Sequence, residues 1–322
     1  MRRFGCFGLI VAAALAIGAF MMLHGWVGPG PADKEITVQI KDGSSLTSAA
    51  RQLEKAGAIR SADSFLSFAK LLGSDAPIQS GEYRVPAGTS ASDVLKMLQG
   101  GKTLQRFVMI PEGMPSILVH EKLMSEKLLT GSVPVPAEGS ILPDSYSFER
   151  GESRAAVLKR MQGAMEKTLT ELWATRKPGI AVSTPQEAVT LAAIVEKETG
   201  VPSERRRVAS VYSNRLKRGM RLQADPTVIY PITRGKPLGR RILRSELHAM
   251  NGYNTYAMAG LPAGPIANPG RASIAAVLDP EQTGYLYFVA DGKGGHVFAQ
   301  TLDQHNANVS KWYAIRRDRG EM

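Results

Sequence analysis

Two carboxylates, Glu196 and Glu198, close a stretch that reads LAAIVEKETG from Leu191 to Gly200. A carboxyl set in an apolar wall has its neutral form favoured, so it can hold a proton near neutral pH and donate it to a leaving group. The stretch supplies such a wall. Ala188, Val189, Leu191, Ala192, Ala193, Ile194 and Val195 ring the helix on nearly every side, the pattern of a buried helix. At roughly 100° per residue the two carboxylates lie about 200° apart and have different neighbours. Glu196 stacks over Val189, Ala192 and Ala193, small side chains that leave space for a ligand. Glu198 stacks over Leu191, Ile194 and Val195, which read as core and demand a basic or hydrogen-bonding partner. On this reading Glu196 is the acid and Glu198 a structural or supporting group. The competing reading pairs both with arginines from Arg205-Arg206-Arg207 and leaves neither any chemistry.

Three later segments carry further polar side chains on turn-rich backbone. Gln223 and Asp225 lie in Met220–Thr227, Tyr253-Asn254-Thr255-Tyr256 forms a second segment, and Asp291 and His296 flank a glycine-rich turn. Between them, Gly260 to Gly270 holds three prolines that fix a particular backbone. Amides and carboxylates bond hydroxyls and aromatic faces lie on sugar rings, so this set suits a polyhydroxylated substrate. Each piece alone is more often a plain turn or a hairpin surface.

The glutamate helix has a clear start. Thr184-Pro185-Gln186-Glu187 places a capping threonine, proline at the first helical position and glutamate at the third, and Gly200 is the expected stop. Ala155 to Lys177 predicts a long amphipathic helix before it and Glu204 to Leu216 a helix after it. Tyr285 to Ala290 reads as a buried strand, followed by a hairpin. Upstream, Ile36–Ile40 alternates as a half-buried strand does, and helices are expected over Leu46–Ala56, Ala62–Leu72 and Ser90–Leu98. Phe107–Ile110 is a further strand and Ile117–Leu129 a further helix. The fold class is α+β.

The 322 residues are enough for two domains, and 43% of them are hydrophobic. A formal net charge of +11 suits an acidic polymer, an anionic membrane surface or a solvated basic face. No nucleic-acid motif accompanies it, so nucleic acid is not an expected partner. Arg2 and Arg3 precede an apolar run from Phe4 to Val27, long enough to span a bilayer, and Pro29-Gly30-Pro31 follows it. This predicts a single transmembrane helix with its N-terminus in the cytoplasm and the remainder exported; a cleaved signal peptide is the alternative. The lone cysteine, Cys6, leaves the exported part without a disulfide or a cysteine-based metal site, and no cofactor is expected.

Two resemblances add to this. IKDGSSLTSAARQLEKAGAI resembles the LysM-like modules that bind cell-wall glycan. The succession IVEKETG, VASVYSNRLKRGMRLQADPTVIY, YNTYAMAGLPAGPIANPG and LYFVADGKGGHVFAQTLDQHN resembles the endolytic murein transglycosylase family, YceG-like membrane-anchored bacterial proteins, over about residues 107 to 313. One departure stands out: Ala263 occupies a place where the family commonly has a second proline. The segment 230 to 252, rich in arginine, is left unassigned.

The family resemblance implies a chemistry and an organisation. Residues 1–31 would be the anchor in the inner membrane, 32–102 a LysM-like glycan-binding module and 103–322 a mixed α+β catalytic domain outside the cytoplasm. The substrate would be peptidoglycan glycan strands, with peptidoglycan synthases as possible partners. The first glutamate of IVEKE, Glu196, would be the acid that protonates the bond between N-acetylmuramic acid and N-acetylglucosamine. The same group would then take the proton of the muramic C6 hydroxyl, which closes on C1 as a 1,6-anhydro end. One carboxylate suffices, whereas glycoside hydrolysis ordinarily uses two. Glu198 or Asp225 would support the cationic transition state, and Gln223, Tyr253, Asn254, Thr255, Tyr256, Asp291 and His296 would contact sugars. Hydrolysis by the same glutamate, or a non-catalytic glycan-binding scaffold, are the competing functions.

Overall fold

The computed structural model describes residues 23–321 together with Ala13, Ile17, Gly18, Phe20 and Met21. Among the described residues no helix is long and apolar enough to cross a membrane. The expected span from Phe4 to Val27 lies largely outside the described residues, as do Arg2, Arg3 and Cys6. The chain forms two compact units. One runs to Arg106 and takes in Ser147–Gly151; the other holds Phe107–Tyr146 and Glu152 onward. Both mix helices with small sheets.

In the first unit β1 (Ile36–Ile40) and β2 (Gly81–Val85) pair antiparallel, with Ile36 opposite Val85 and Ile40 opposite Gly81. The period of two turns Val38 and Ile40 into a core shared with Tyr83 and Val85. Helices α1 (Leu46–Lys55), α2 (Ala62–Leu72) and α3 (Ala91–Gly100) complete it. Each opens on a serine, Ser45, Ser61 or Ser90, whose side chain accepts from the N–H three residues on. Helical spacing of the apolar residues in the expected helix predicts a buried stripe on α1, and Ala49, Ala50 and Leu53 are all fully buried. Helix α3 stops because Gly101 takes the left-handed conformation, φ 64°, which a glycine adopts without steric penalty. Trp26 also belongs to this core, with its ring 5.9 Å from Phe65 and 5.8 Å from Phe68. Pro29-Gly30-Pro31 is accordingly tied down: Gly30 N–H donates to the Gly88 carbonyl at 3.0 Å and Gly88 N–H to that of Ala32 at 2.8 Å.

The second unit is built round the glutamate helix. The chain passes into it through β3 (Arg106–Met109) and α4 (Ser116–Ser125); β4 (Ser145–Phe148), whose last two residues count with the first unit, and the long α5 (Arg154–Ala174) precede α6 (Pro185–Glu198). Thr184 caps α6 as expected, accepting from Glu187 N–H at 3.1 Å, while Glu187 accepts from Ser183 N–H at 2.6 Å. Every residue from Ala188 to Val195 is buried. Each of Leu191, Ile194 and Val195 contributes about 1.5–3 kcal/mol by leaving water. Helices α7 (Arg205–Lys217) and α10 (Arg271–Leu278) pack against α6; between them in sequence lie α8 (Asp225–Thr233) and the single turn α9 (Arg244–Leu247). The hairpin β5 (Tyr287–Ala290) and β6 (His296–Ala299) is antiparallel with Ala290 opposite His296, and α11 (Leu302–Asp318) follows.

Two expected boundaries move. Gly200 does not stop α6. The helix ends at Glu198, because Thr199 is already extended, φ −138° and ψ 128°, with its side chain buried. Asp225, expected in a loop, is the first residue of α8, where Pro226 sits in the first turn and the carboxylate faces the positive end of the helix.

Candidate active site

Ending α6 at Glu198 puts its two carboxylates in opposite situations. The Glu196 side chain is 6% exposed and boxed in. Its Oε2 accepts from the Gly270 N–H at 2.9 Å and its Oε1 lies 3.6 Å from Arg205 Nη2, which is also 3.0 Å from Glu112 Oε2. The Pro111–Gly113 turn closes over it. Gly113 there has φ 71°, its N–H bonds the Asn268 carbonyl, and an added Cβ would lie 3.3 Å from Glu196 Cγ. At Gly270 an added Cβ would sit 2.0 Å from Glu112 Oε1, so a side chain there would push Glu112 aside. The small neighbours Ala192 and Ala193 do leave space, but protein fills it.

Glu198 instead lines an open cleft of about 330 Å³ together with Tyr212, Arg215, Gln223, Asp225 and Tyr256. Phe288, Leu222 and His305 complete the wall. Burial pushes the Glu198 carboxyl up to about 7, and the negative charge of Asp225 adds to the rise. A hydrogen bond from the Tyr212 side chain and the Arg215 charge act the other way and are outweighed. The result is a carboxyl that is half protonated near neutral pH and sits in one cleft with a second carboxyl group, that of Asp225. That is the condition for one group to serve as acid and then as base.

The cleft wall is held by backbone bonds from two buried side chains. Arg215 donates through Nε to the Leu286 carbonyl at 2.6 Å and through Nη1 to that of Leu222 at 2.8 Å, and its guanidinium lies 5.1 Å from the Tyr287 ring centre. Thr255 ties the α8 entrance: its Oγ1 accepts from Ala224 N–H at 3.0 Å and lies 2.8 Å from Thr227 Oγ1, and its carbonyl accepts from Gln223 N–H at 3.2 Å. Gln223 is thereby kept at φ 55°, a left-handed conformation that non-glycine residues seldom take. Tyr256 donates its hydroxyl to Asp225 Oδ1 at 2.6 Å and so fixes the second carboxylate.

The chain is similar to known proteins along most of its length. The chain matches the model of the YceG-like family over residues 38–311. It belongs to the YceG-like family. A protein of Bacillus subtilis (strain 168) called endolytic murein transglycosylase is 29% identical, over 94% of this chain and 92% of that one. One of the same name from Streptococcus pneumoniae serotype 2 (strain D39) is 28% identical over 86% of this chain and 58% of its own length. The crystal structure of a yceG-like protein from Listeria monocytogenes is similar with a TM-score of 0.52 and 28% identity, covering 85% of this chain and 98% of that one.

Of the ten site residues expected in this YceG-like chain, the fold brings Glu198, Gln223, Asp225 and Tyr256 together in the cleft. Asn254 and Thr255 are fully buried and bond backbone instead. Asn254 Nδ2 donates to the carbonyls of Glu246, Leu247 and Ala249 at 3.1, 3.1 and 2.8 Å. Tyr253 packs its ring 4.8 Å from that of Tyr230. Asp291 closes the hairpin turn, accepting from Lys293 and Gly295 N–H, which holds its carboxyl below the usual range. His296 bonds Glu204 through Nδ1 at 2.7 Å. Glu196 is in the arginine-paired state that the competing reading expects of both glutamates, and Glu198, deeply buried as its neighbours on α6 imply, also lines the cleft. Wheel geometry counts only neighbours on α6, while the deciding neighbours come from five other segments. Tyr212 and Arg215 escape the sequence reading; their signal is a phenol and a guanidinium on the apolar stripe of Val208 and Val211 along α7. Among the described residues no group of three or more His, Cys, Asp or Glu side chains could hold a metal.

Proposed function

We propose that this YceG-like chain is an endolytic lytic transglycosylase of peptidoglycan, with Glu198 as its single acid and base. The observation that carries the assignment to Glu198 is its placement in the cleft with a proton affinity near neutrality, beside Asp225, which Tyr256 holds in place. Protonated Glu198 gives its proton to the oxygen linking N-acetylmuramic acid to the next sugar, and the bond from C1 to that oxygen breaks. Cationic character builds at C1, and Asp225, held by Tyr256, stabilises it. The Glu198 carboxylate then removes the proton of the C6 hydroxyl as that oxygen closes on C1. The products are a 1,6-anhydro end and a new free hydroxyl, and Glu198 regains its proton. The substrate class rests on the names of the relatives and on family membership.

Asp225 also supports a second reading. Two carboxylates in one cleft suffice for hydrolysis, with water in place of the C6 hydroxyl. Mass spectrometry of glycan fragments separates the two: anhydro ends support the lytic reaction and reducing ends overturn it.

We further propose the remaining organisation. The apolar segment ahead of Trp26 would anchor the chain in the inner membrane and the rest would work outside the cytoplasm, on the strength of the charge and hydropathy of that segment. The first unit would be the LysM-like glycan-binding module. It carries a groove of about 650 Å³ between the β1–α1 and α2–β2 connections, where Ser45, Thr47, Ser74, Asp75 and Gln99 meet apolar Leu66 and Ile78. Loss of affinity for long strands in Asp75→Ala, with unchanged turnover of short ones, is the expected result; equal loss on both would refute the module's role.

A further inference from the structure

The segment from Pro231 to Gly252 lines no part of the cleft and is nonetheless well formed. It carries Arg234, Lys236, Arg240, Arg241 and Arg244 against one carboxylate, Glu246. Lys236 pairs with Glu121 at 2.5 Å, and Arg240 pairs with Glu246 at 2.5 Å. Glu246 also accepts from the Leu243 N–H at 2.7 Å, so its oxygens are taken. Among the described residues Arg234, Arg241 and Arg244 are exposed and have no carboxylate within ion-pair distance. The same stretch holds Ile232, Leu243 and Met250 at 44%, 52% and 81% exposure. Singly exposed apolar side chains are ordinary, but these three share the stretch 232–250 with three arginines that lack a carboxylate partner.

This is no loose tail. Asn254 grips three of its carbonyls, Ala263 N–H bonds the Gly252 carbonyl at 2.7 Å, and Lys236 ties it to α4. Asn254 stands two residues from Tyr256, which lines the cleft. Whatever the segment binds is therefore held at a set distance from the site. Cations whose counter-charge is missing, interleaved with apolar side chains, match one kind of surface: phosphate headgroups for the guanidinium groups and the acyl boundary beneath for Ile232, Leu243 and Met250. A glycan strand offers hydroxyls, peptide carboxylates and only small methyl groups, a poorer match for side chains as long as Leu243 and Met250.

We infer that residues 231–252 form a peripheral docking surface for an anionic bilayer, set beside the cleft and separate from any N-terminal anchor. The contact fixes the height of the cleft above the membrane. It does not depend on the reaction proposed above, and its test does not read activity alone. Hydrogen exchange of the full chain is followed across this segment with vesicles of phosphatidylcholine, without or with phosphatidylglycerol. Exchange should slow with the anionic vesicles only, recover in high salt, and recover in R241Q/R244Q and in M250S. The R241Q/R244Q variant should cut soluble glycan strands at the wild-type rate. Equal exchange with both vesicle types overturns the inference. So does slowed exchange with soluble strands alone, or slower cutting of them by R241Q/R244Q, since either assigns the arginines to substrate.

Discussion

Glu196 accepts a hydrogen bond from the backbone N–H of Gly270 at 2.9 Å, across 74 residues of chain. With Arg205 on its other oxygen, the carboxylate ties the end of α6 to the start of α10. Glu196→Gln keeps an acceptor for Gly270 and loses the charge facing Arg205, which retains Glu112. The expected outcome is a loss of about 1.5–3 kcal/mol, the range for a hydrogen bond to a charged group, with cleavage largely kept. Thermal melts and product analysis check it. A folded, inert Glu196→Gln enzyme would return the acid–base role to Glu196.

Glu198→Gln should abolish cleavage, raising the barrier by several kcal/mol, and yet stabilise the protein in alkali. The Glu198 pKa is raised from 4.5 to about 7 on folding. The folded state therefore binds more protons between these values. The stability this group contributes is complete below pH 4.5 and is lost as pH rises through about 7, by at most about 3 kcal/mol. The open cleft makes the real figure smaller. At a pH above that value the glutamine variant should melt above wild type, and in acid below 4.5 the two should coincide. Melts that coincide in both ranges would mean that Glu198 is not desolvated.

Cleavage itself should fall as pH rises through about 7, because the first step needs the protonated carboxyl. Tyr212→Phe removes a hydrogen bond that holds the Glu198 pKa down. Its descending limb should lie at higher pH than that of wild type, with a lower maximal rate from the looser carboxyl. A limb that stays in place would show that Tyr212 only packs against Phe288, whose ring it meets edge-on at 5.9 Å.

Trp26 decides where the N-terminal segment can be cut. It is 5% exposed and packs on Phe65 and Phe68. A chain beginning at Ala32 should lose about 3–5 kcal/mol relative to one beginning at Leu23, the usual cost of removing a buried tryptophan. Chemical denaturation of both chains measures the difference, and equal midpoints would place Trp26 outside the core. Both should cut soluble strands wherever they are folded.

How much of this is legible in the sequence depends on the range of the interaction concerned. Caps and periodicity are local, so Thr184 and Pro185 mark the start of α6, and Ala49, Ala50 and Leu53 mark the buried side of α1, from residue types and spacing alone. The order of motifs likewise points to the family that the comparison with known proteins establishes. The glutamates are not decided this way. A helical wheel holds only the residues of one helix, and on it Glu196 looks open and Glu198 enclosed. Gly270, Glu112 and Arg205 close one side of α6, while Tyr212, Asp225 and Tyr256 leave a cleft on the other. Those residues arrive from segments up to 84 positions away in sequence, the separation of Glu112 from Glu196. The proton affinity of Glu198 follows from that enclosure, since desolvation is set by every atom around a carboxyl and not by its neighbours in the chain. The sequence by itself determined that a buried helix would carry two carboxylates; only the tertiary structure decided which of them meets the cleft.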